Sequence, residues 1–287
     1  MIDTLIIPTT EVPERLQAAL LARIEAGDIE LPLLPDVVWQ VMDMSASDDS
    51  DARKLSELIH RDQALAGHIL RVANSPAYIP RMPILSLQQA VSRLGMVQLA
   101  EIAFAVSLQT RVFEVPGYER EVRSLWQHSV GTAAYASEIA RRRRKNVEGS
   151  FLCGLLHDVG KPITLQLLVD EQRALGYTLQ TSAAAAIVEA YHTHVGGLLA
   201  AQWALPSHVS ESLVYHHDYL TAPTHAEAVM VTRLADLLSY HFLMPDIFNA
   251  ESVFEHPVIA DLNLYPDDVE TLLAMRDKIQ SIIEAMS

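Results

Sequence analysis

The sequence predicts an all-α protein. Apolar residues recur mostly at spacings of three and four, which is the period of an amphipathic helix. Long alternations of Val, Ile and Thr, which would indicate strands, are missing, and Pro and Gly concentrate where helices would end. With 287 residues, 50% of them hydrophobic, the chain can bury a substantial core in one or two domains.

The helical pattern falls into two groups. The first group is predicted at 11–27, 35–45, 51–60, 62–74, 86–94 and 96–112. The segment 113–118, with Pro116 and Gly117, is the best internal boundary. Beyond it, helices are predicted at 119–145, 149–159, 163–170, 182–203, 207–219, 224–242 and 267–286.

Charge and cysteine content exclude several classes of function. The formal net charge is −15, from 21 basic and 36 acidic residues, so nucleic acid is not the expected partner. The basic run at 141–145 is interpreted as a solvated helix C-terminus. Cys153 is the single cysteine, which excludes an internal disulfide and suits a reducing cytoplasm. The first 15 residues do not resemble a signal peptide, and the sequence predicts no membrane span.

The stretch GLLHDVGK at 154–161 carries the strongest chemical signal. It places His157 and Asp158 at the end of an apolar run, followed by Gly160, which we expect to let the chain turn out of the helix. Further candidate ligands at inward positions of predicted helices are His128, His194, His216, His217 and Asp236.

Taken singly, each histidine is better interpreted as a satisfied core or surface imidazole. Together, five imidazoles and two carboxylates at inward positions predict a metal site, because a buried carboxylate is costly unless it is paired or metal-bound. His192 is expected to point elsewhere, since it lies two residues before His194 on the same predicted helix.

The order H, HD, H, HH, D over residues 126–239 resembles the two-metal branch of the HD superfamily of metal-dependent phosphohydrolases. The resemblance implies one metal held by His128, His157, Asp158 and Asp236. It implies a second metal held by Asp158, as a bridge, with His194, His216 and His217. Iron suits this ligand set best, with manganese or zinc as alternatives.

In that branch a hydroxide shared by the two metals attacks phosphorus, and Asp158 would be catalytic through the metals it bridges. Lys161 resembles the lysine of the branch's HDxGK motif, which implies a contact with substrate phosphate. Its alternative interpretation is a solvated lysine at a helix end.

A second resemblance covers most of the chain. The motifs that carry it are LPLLP at 31–35, DQALAGHILRVANSPAY at 62–78, SLQQAVSRLG at 86–95, LWQHS at 125–129, GLLHDVG at 154–160, HVGGLLAAQWALP at 194–206 and YHHD at 215–218. They look like the HDOD domain, which implies an HD-superfamily fold with an N-terminal helical subdomain packed on a metal-site helical subdomain.

The resemblance also sets the expected domain boundaries. An N-terminal helical extension is predicted at 1–27 and a C-terminal helical extension at 243–287. The HDOD domain between them, at 28–242, divides into an N-terminal half at 28–115 and a metal-site half at 116–242.

Two functions follow from the resemblances. One is a phosphohydrolase or phosphodiesterase that acts on a phosphate-containing small molecule or nucleotide. The other is a non-catalytic bacterial signalling module, with a structural or sensory metal and a signalling protein as partner. Asp218 and the segment YLTAP follow the histidine pair where cyclic-dinucleotide phosphodiesterases carry a GYP motif, so cyclic di-GMP is not the expected substrate.

Overall fold

The computed structural model describes residues 12–33, 36–46, 51–78 and 82–287. Within these ranges the chain forms helices and no strand, which confirms the all-α prediction. The first helices are α1 (Glu14–Ala26), α2 (Asp36–Ala46), α3 (Ala52–Ile59), α4 (Gln63–Ala73), α5 (Leu87–Leu94) and α6 (Met96–Val112). The starts of the first two predicted helices, at residues 11 and 35, lie outside the described residues.

The second group of helices builds the candidate metal-site half. It comprises α7 (Glu119–Arg143), α8 (Val147–Leu156), α9 (Gly160–Leu175), α10 (Thr181–Gln202), α11 (Ser207–Tyr215), a 3₁₀ helix (Tyr219–Thr221) and α12 (Ala226–Leu243). Four further helices follow, namely α13 (Ala250–Phe254), α14 (Val258–Asp261), α15 (Pro266–Leu273) and α16 (Arg276–Met286).

Several helices differ from the prediction: α13 and α14 were not predicted, and α8 ends at Leu156 instead of residue 159. α9 is longer at both ends than the predicted 163–170, because Pro162 lies in its first turn, where a missing N–H costs nothing. α11 ends at Tyr215, so the histidine pair follows the helix. The helix predicted at 267–286 is broken near Met275, and both pieces pack against α7.

The N-terminal half packs on the metal-site half through aromatic and apolar contacts. The Trp39 ring meets the edge of Trp203 at a centroid distance of 6.0 Å. Trp203 also donates its indole N–H to the Pro32 carbonyl at 2.9 Å. α6 is buried around its whole circumference from Leu99 to Leu108, since it lies between helices of both halves.

Both terminal segments also pack on this body. α1 contacts α9, with Arg23 and Glu171 paired at 2.8 Å. α16 contacts α7, where Trp126 donates its indole N–H to the Met286 carbonyl at 2.8 Å, and it also contacts α4 and α6. The structure therefore places α1 and α16 against the helices between them.

α8 runs through the centre of the metal-site half and is apolar on every side from Phe151 to Leu156. It packs against α7 so closely that a Cβ at Gly154 would lie 2.7 Å from the Ala133 Cα. This approach brings the end of α8, and with it His157 and Asp158, beside the inward face of α7.

Gly160 makes a second close approach. The glycine begins α9 rather than turning the chain away in a left-handed conformation. A Cβ on it would lie 1.9 Å from the His192 carbonyl oxygen and 2.8 Å from the Gly196 nitrogen. The absent side chain therefore lets α9 lie directly on the backbone of α10.

Among the described residues, no single helix combines the length and apolar composition needed to cross a membrane. In this part of the chain only the pair α5 and α6, taken together, has that length and composition, and the two helices are bent by 118° relative to each other.

We predict that Gly160→Ala destabilises the protein, because the new methyl group forces α9 away from α10. The expected loss is about 1–3 kcal/mol of unfolding free energy, measured by urea denaturation. The control is Gly67→Ala on the exposed face of α4, where a Cβ meets nothing within 4 Å. That change should stabilise by about 0.5–1 kcal/mol, and an equal effect at both glycines would contradict the close packing.

Candidate metal centre

The chain brings seven potential ligands together from five regions of the metal-site half. They are His128 on α7, His157 and Asp158 between α8 and α9, His192 on α10, His216 and His217 directly after α11, and Asp236 on α12. All except His217 are buried. They form two groups that could each hold a metal ion.

The first group joins α7, the end of α8 and α12. The Nε2 atoms of His128 and His157 are 3.3 Å apart. Asp236 Oδ1 lies 3.1 Å from His128 Nε2 and 3.7 Å from His157 Nε2. Ligand atoms of one divalent metal with bonds near 2.1 Å are separated by about this much.

The second group joins α10 and the residues after α11. His192 Nε2 lies 3.4 Å from His216 Nε2 and 3.1 Å from His217 Nε2. Asp158 completes the group, with Oδ1 at 3.3 Å from His192 Nε2 and 3.6 Å from His216 Nε2.

Asp158 lies between the two groups and presents one oxygen to each. Its Oδ2 is 3.4 Å from His157 Nε2 and 3.6 Å from His128 Nε2, while its Oδ1 faces the second group. A carboxylate in this position reduces the repulsion between two cations a few ångströms apart. The geometry is that of a bridging ligand.

Backbone carbonyls orient three of the imidazoles. The Nδ1 atoms of His157, His192 and His216 lie 2.8, 2.7 and 3.0 Å from the carbonyl oxygens of Gly154, Glu189 and Ser212. Since a carbonyl only accepts, each Nδ1 donates its proton and each Nε2 directs a lone pair into the site in the neutral ring.

The residues fit a bound cation. In the described part of the chain, Oδ1 of Asp158 and Oδ1 of Asp236 are buried without a hydrogen-bond partner. Buried carboxylate oxygens and converging imidazole lone pairs are unfavourable on their own, and a divalent ion would satisfy both. The set contains no thiolate, which suits borderline metals with nitrogen and oxygen ligands.

The ionisation states of Asp158, His192 and His217 also suit a metal. Burial acts to raise the pKa of the Asp158 carboxyl, but His157 and Lys161 hold it well below its usual value. Burial lowers the pKa of His192 to about 4 and that of His217 to about 3, so both rings are neutral at pH 7. His157 differs, because Asp158 and Asp236 outweigh its burial and raise its pKa to about 10.

Lys161 lies within the candidate metal centre, and it is only 4% exposed. Its Nζ is 2.8 Å from Asp158 Oδ2 and 3.1 Å from Glu189 Oε2, and it donates to the Tyr240 hydroxyl at 3.2 Å. Although burial opposes the ammonium, these partners raise the pKa of Lys161 well above its usual value. The interpretation as a solvated helix-end lysine is therefore wrong.

His194 does not lie in the centre. Its side chain is exposed on α10, and His192 occupies the place that the sequence assigned to it. The two residues are about 200° apart around the helix, and the contact with Gly160 turns the His192 face inward. His192, Val195, Gly196 and Leu199 are all buried, so the spacing i, i+3, i+4, i+7 was a signal that favoured His192.

Three further side chains contact the candidate ligands or Lys161, and the sequence analysis did not predict them. Arg233 pairs with Asp236 Oδ2 at 2.7 Å, and the Tyr240 ring lies 4.1 Å from that of His128. Glu189 contacts Lys161, and its Oε1 lies 3.4 Å from His217 Nε2. Arg233 and Tyr240 lie one turn from Asp236, and Glu189 lies one turn before His192, so helical spacing from each ligand could have found them.

The centre has an edge toward solvent and an adjoining cavity. The side chains of His217 and Glu189 are 38% and 57% exposed. On another side, a cavity of about 450 Å³ is lined by residues that include His128, Lys161, Glu189 and Tyr240. A small molecule can therefore reach side chains of the centre.

We predict that His192→Ala reduces bound metal, whereas His194→Ala does not. Removing one ligand should lower affinity at least about tenfold, because the remaining donors leave a coordination position unfilled. The loss of affinity is measured as the metal content that remains after gel filtration in a buffer that contains a weak chelator. The opposite result, with loss only in His194→Ala, would contradict the placement of α10.

We also predict that metal affinity increases with pH. His157 holds a proton at pH 7 because its pKa is raised to about 10, and that proton must leave before Nε2 binds a metal. Apparent affinity should therefore rise by about tenfold per unit between pH 6 and 8. Competition titration against a chelator of known pH dependence tests this, and His157→Gln should show a flatter profile.

Comparisons with known proteins agree with this architecture. The model of the HDOD domain family matches residues 31–219, more than half of the chain. A curated relative, an uncharacterized protein of Treponema pallidum (strain Nichols), is 24% identical over 241 residues. The match covers 80% of this chain and 45% of that protein, so the chain spans less than half the length of this relative.

Solved structures show the same fold. An HDOD domain protein of unknown function from Geobacter sulfurreducens is 26% identical, with a TM-score of 0.71 over 94% of this chain and 98% of that one. A Shewanella amazonensis SB2B protein, provisionally named a metal-dependent phosphohydrolase, is 20% identical, with a TM-score of 0.73 over 95% and 98% of the two chains.

A Marinobacter aquaeolei VT8 protein, provisionally named a signal transduction protein, is 18% identical, with a TM-score of 0.69 over 99% of this chain and 68% of that one. The family match, the helical architecture and the paired His and Asp groups agree with one another. This chain belongs to the HDOD domain family.

Proposed function

We propose that this protein is a metal-dependent phosphohydrolase or phosphodiesterase with two divalent metal ions. The observation that carries the proposal is the position of Asp158, whose two oxygens face two separate groups of ligands. One ion would be held by His128, His157, Asp158 and Asp236, and the other by Asp158, His192, His216 and His217.

Iron is the first choice of metal, with manganese and zinc as alternatives, because all three accept mixed imidazole and carboxylate ligands. When bound, such a pair of ions acidifies water and neutralises charge on a phosphoryl group. The overall reaction adds water across a P–O ester bond, which yields a phosphate and an alcohol.

Lys161 is assigned to the substrate phosphate. Its ammonium is held in the site by Asp158 and Glu189, and it lines the adjoining cavity. A phosphate oxygen that replaced Glu189 as its partner would receive a charge-assisted hydrogen bond. The bond to Asp158 would keep the amine in place during that exchange.

Glu189 is assigned to proton exchange with solvent. It is more than half exposed, yet it contacts both Lys161 and His217 at the edge of the centre. A carboxylate at this position can accept the proton that the attacking water releases and pass it to the alcohol that leaves. The substrate would be a phosphate-containing small molecule or a nucleotide.

A regulatory HDOD module is the second candidate. The ion pairs of Lys161 with Asp158 and Glu189 favour it, because they satisfy the lysine without any substrate. The metal would then be structural or sensory, and the N-terminal half would contact a signalling protein. The name of the Marinobacter protein agrees with such a role, although the likeness is one of fold.

The two candidates are separated by metal content and turnover in one set of proteins. We predict that the metal-loaded protein hydrolyses at least one member of a panel of phosphomonoesters, phosphodiesters and nucleotides. His157→Ala and Asp158→Ala should each lower turnover at least about a hundredfold, because each removes a ligand.

His194→Ala is the matched control, since this histidine lies outside the centre, and it should retain turnover. Bound metal with no turnover of any substrate would favour the regulatory module. Turnover that survives both ligand substitutions would place the activity elsewhere.

A further inference from the structure

The cavity beside the centre is built mainly from apolar side chains. It lies between α7, α9, α10 and the end of α12. Its apolar walls come from Leu125, Leu165, Ala184, Val188 and Leu243. Its volume of about 450 Å³ falls within the range of pockets that hold small organic molecules.

One part of the cavity is polar and belongs to the centre. Lys161 lines it, and so does His128, whose Nδ1 is buried without a hydrogen-bond partner among the described residues. The polar part of the cavity is therefore the part that adjoins the candidate metal ligands.

The charges around the cavity disfavour a polyanion. Glu121 and Glu189 line it, and Lys161 is the one cationic side chain among the described residues that do so. Lys161 is already paired with Asp158 and Glu189. Each phosphate beyond the first would lie near carboxylates with no cation to oppose it.

We propose that the cavity holds the apolar organic group of a phosphoester that carries a single phosphoryl group. This inference rests on the proposed phosphohydrolase function and names its substrate class. The phosphoryl group lies at Lys161 and the ligand groups, and the alkyl or aryl group lies against the walls formed by α7, α9 and α10. Nucleoside polyphosphates are excluded from this class.

The test measures binding of phosphonates, whose C–P bond is not hydrolysed. Metal-loaded protein is titrated by calorimetry with phenylphosphonate and with methylphosphonate, which share one head group and differ in apolar size. Burial of the ring should make phenylphosphonate bind roughly tenfold or more tightly. Equal affinities would overturn the proposal.

A pair of neighbouring variants tests the location. Ala185 is exposed and lines the cavity, whereas Ala186 is adjacent on α10 and does not line it. Ala185→Phe should fill the space and remove the preference for phenylphosphonate. Ala186→Phe should retain it, and loss in both variants or in neither would contradict the assignment to this cavity.

The same proteins separate this inference from the proposed function. A preference for phenylphosphonate without turnover of phenyl phosphate would leave the cavity intact and refute hydrolysis. Turnover with equal phosphonate affinities, or with the highest kcat/KM for nucleoside triphosphates, would support hydrolysis and refute the substrate class.

Discussion

A buried carboxylate, that of Asp158, is the constraint on which the rest of the metal-site half depends. It is 2% exposed, and its environment must compensate for its lost hydration. The compensation comes from imidazoles on both sides and from Lys161, which reach it from α7, α9, α10 and the segment after α11. The glycines at 154 and 160 permit this convergence, because larger residues would hold the helices apart.

Sequence reasoning recovered most of the fold and most of the centre, for identifiable physical reasons. The all-α class follows from helical periodicity, and the HD pair is conspicuous because a charged pair ends an apolar run. His192 was misplaced because the rotation of α10 depends on its contact with Gly160, which is separated from it by 32 positions. No Gly or Pro lies between residues 267 and 286, so the local signals for a helix end do not report the break near Met275.

An enzyme and a regulator could share this fold, so the two candidate functions differ only at a few side chains of the metal centre. The HDOD fold does not by itself determine function, and the ligand groups could serve either candidate. In the proposed hydrolase, Lys161 would exchange one of its partners for a phosphate oxygen, whereas in the regulatory module it would keep both. Its present partners, Asp158 and Glu189, differ in exposure, since the first is buried and the second lies at the solvent edge. Glu189, the exposed partner, would be the one to exchange.

The many polar side chains that meet in the interior affect the stability of the folded protein. Five regions of sequence, spread from residue 128 to residue 236, meet at these ligand atoms. An ion bound there would cross-link these regions, and its loss would destabilise all of them together. The supply of metal in the cell would then govern how long the protein persists as well as what it does.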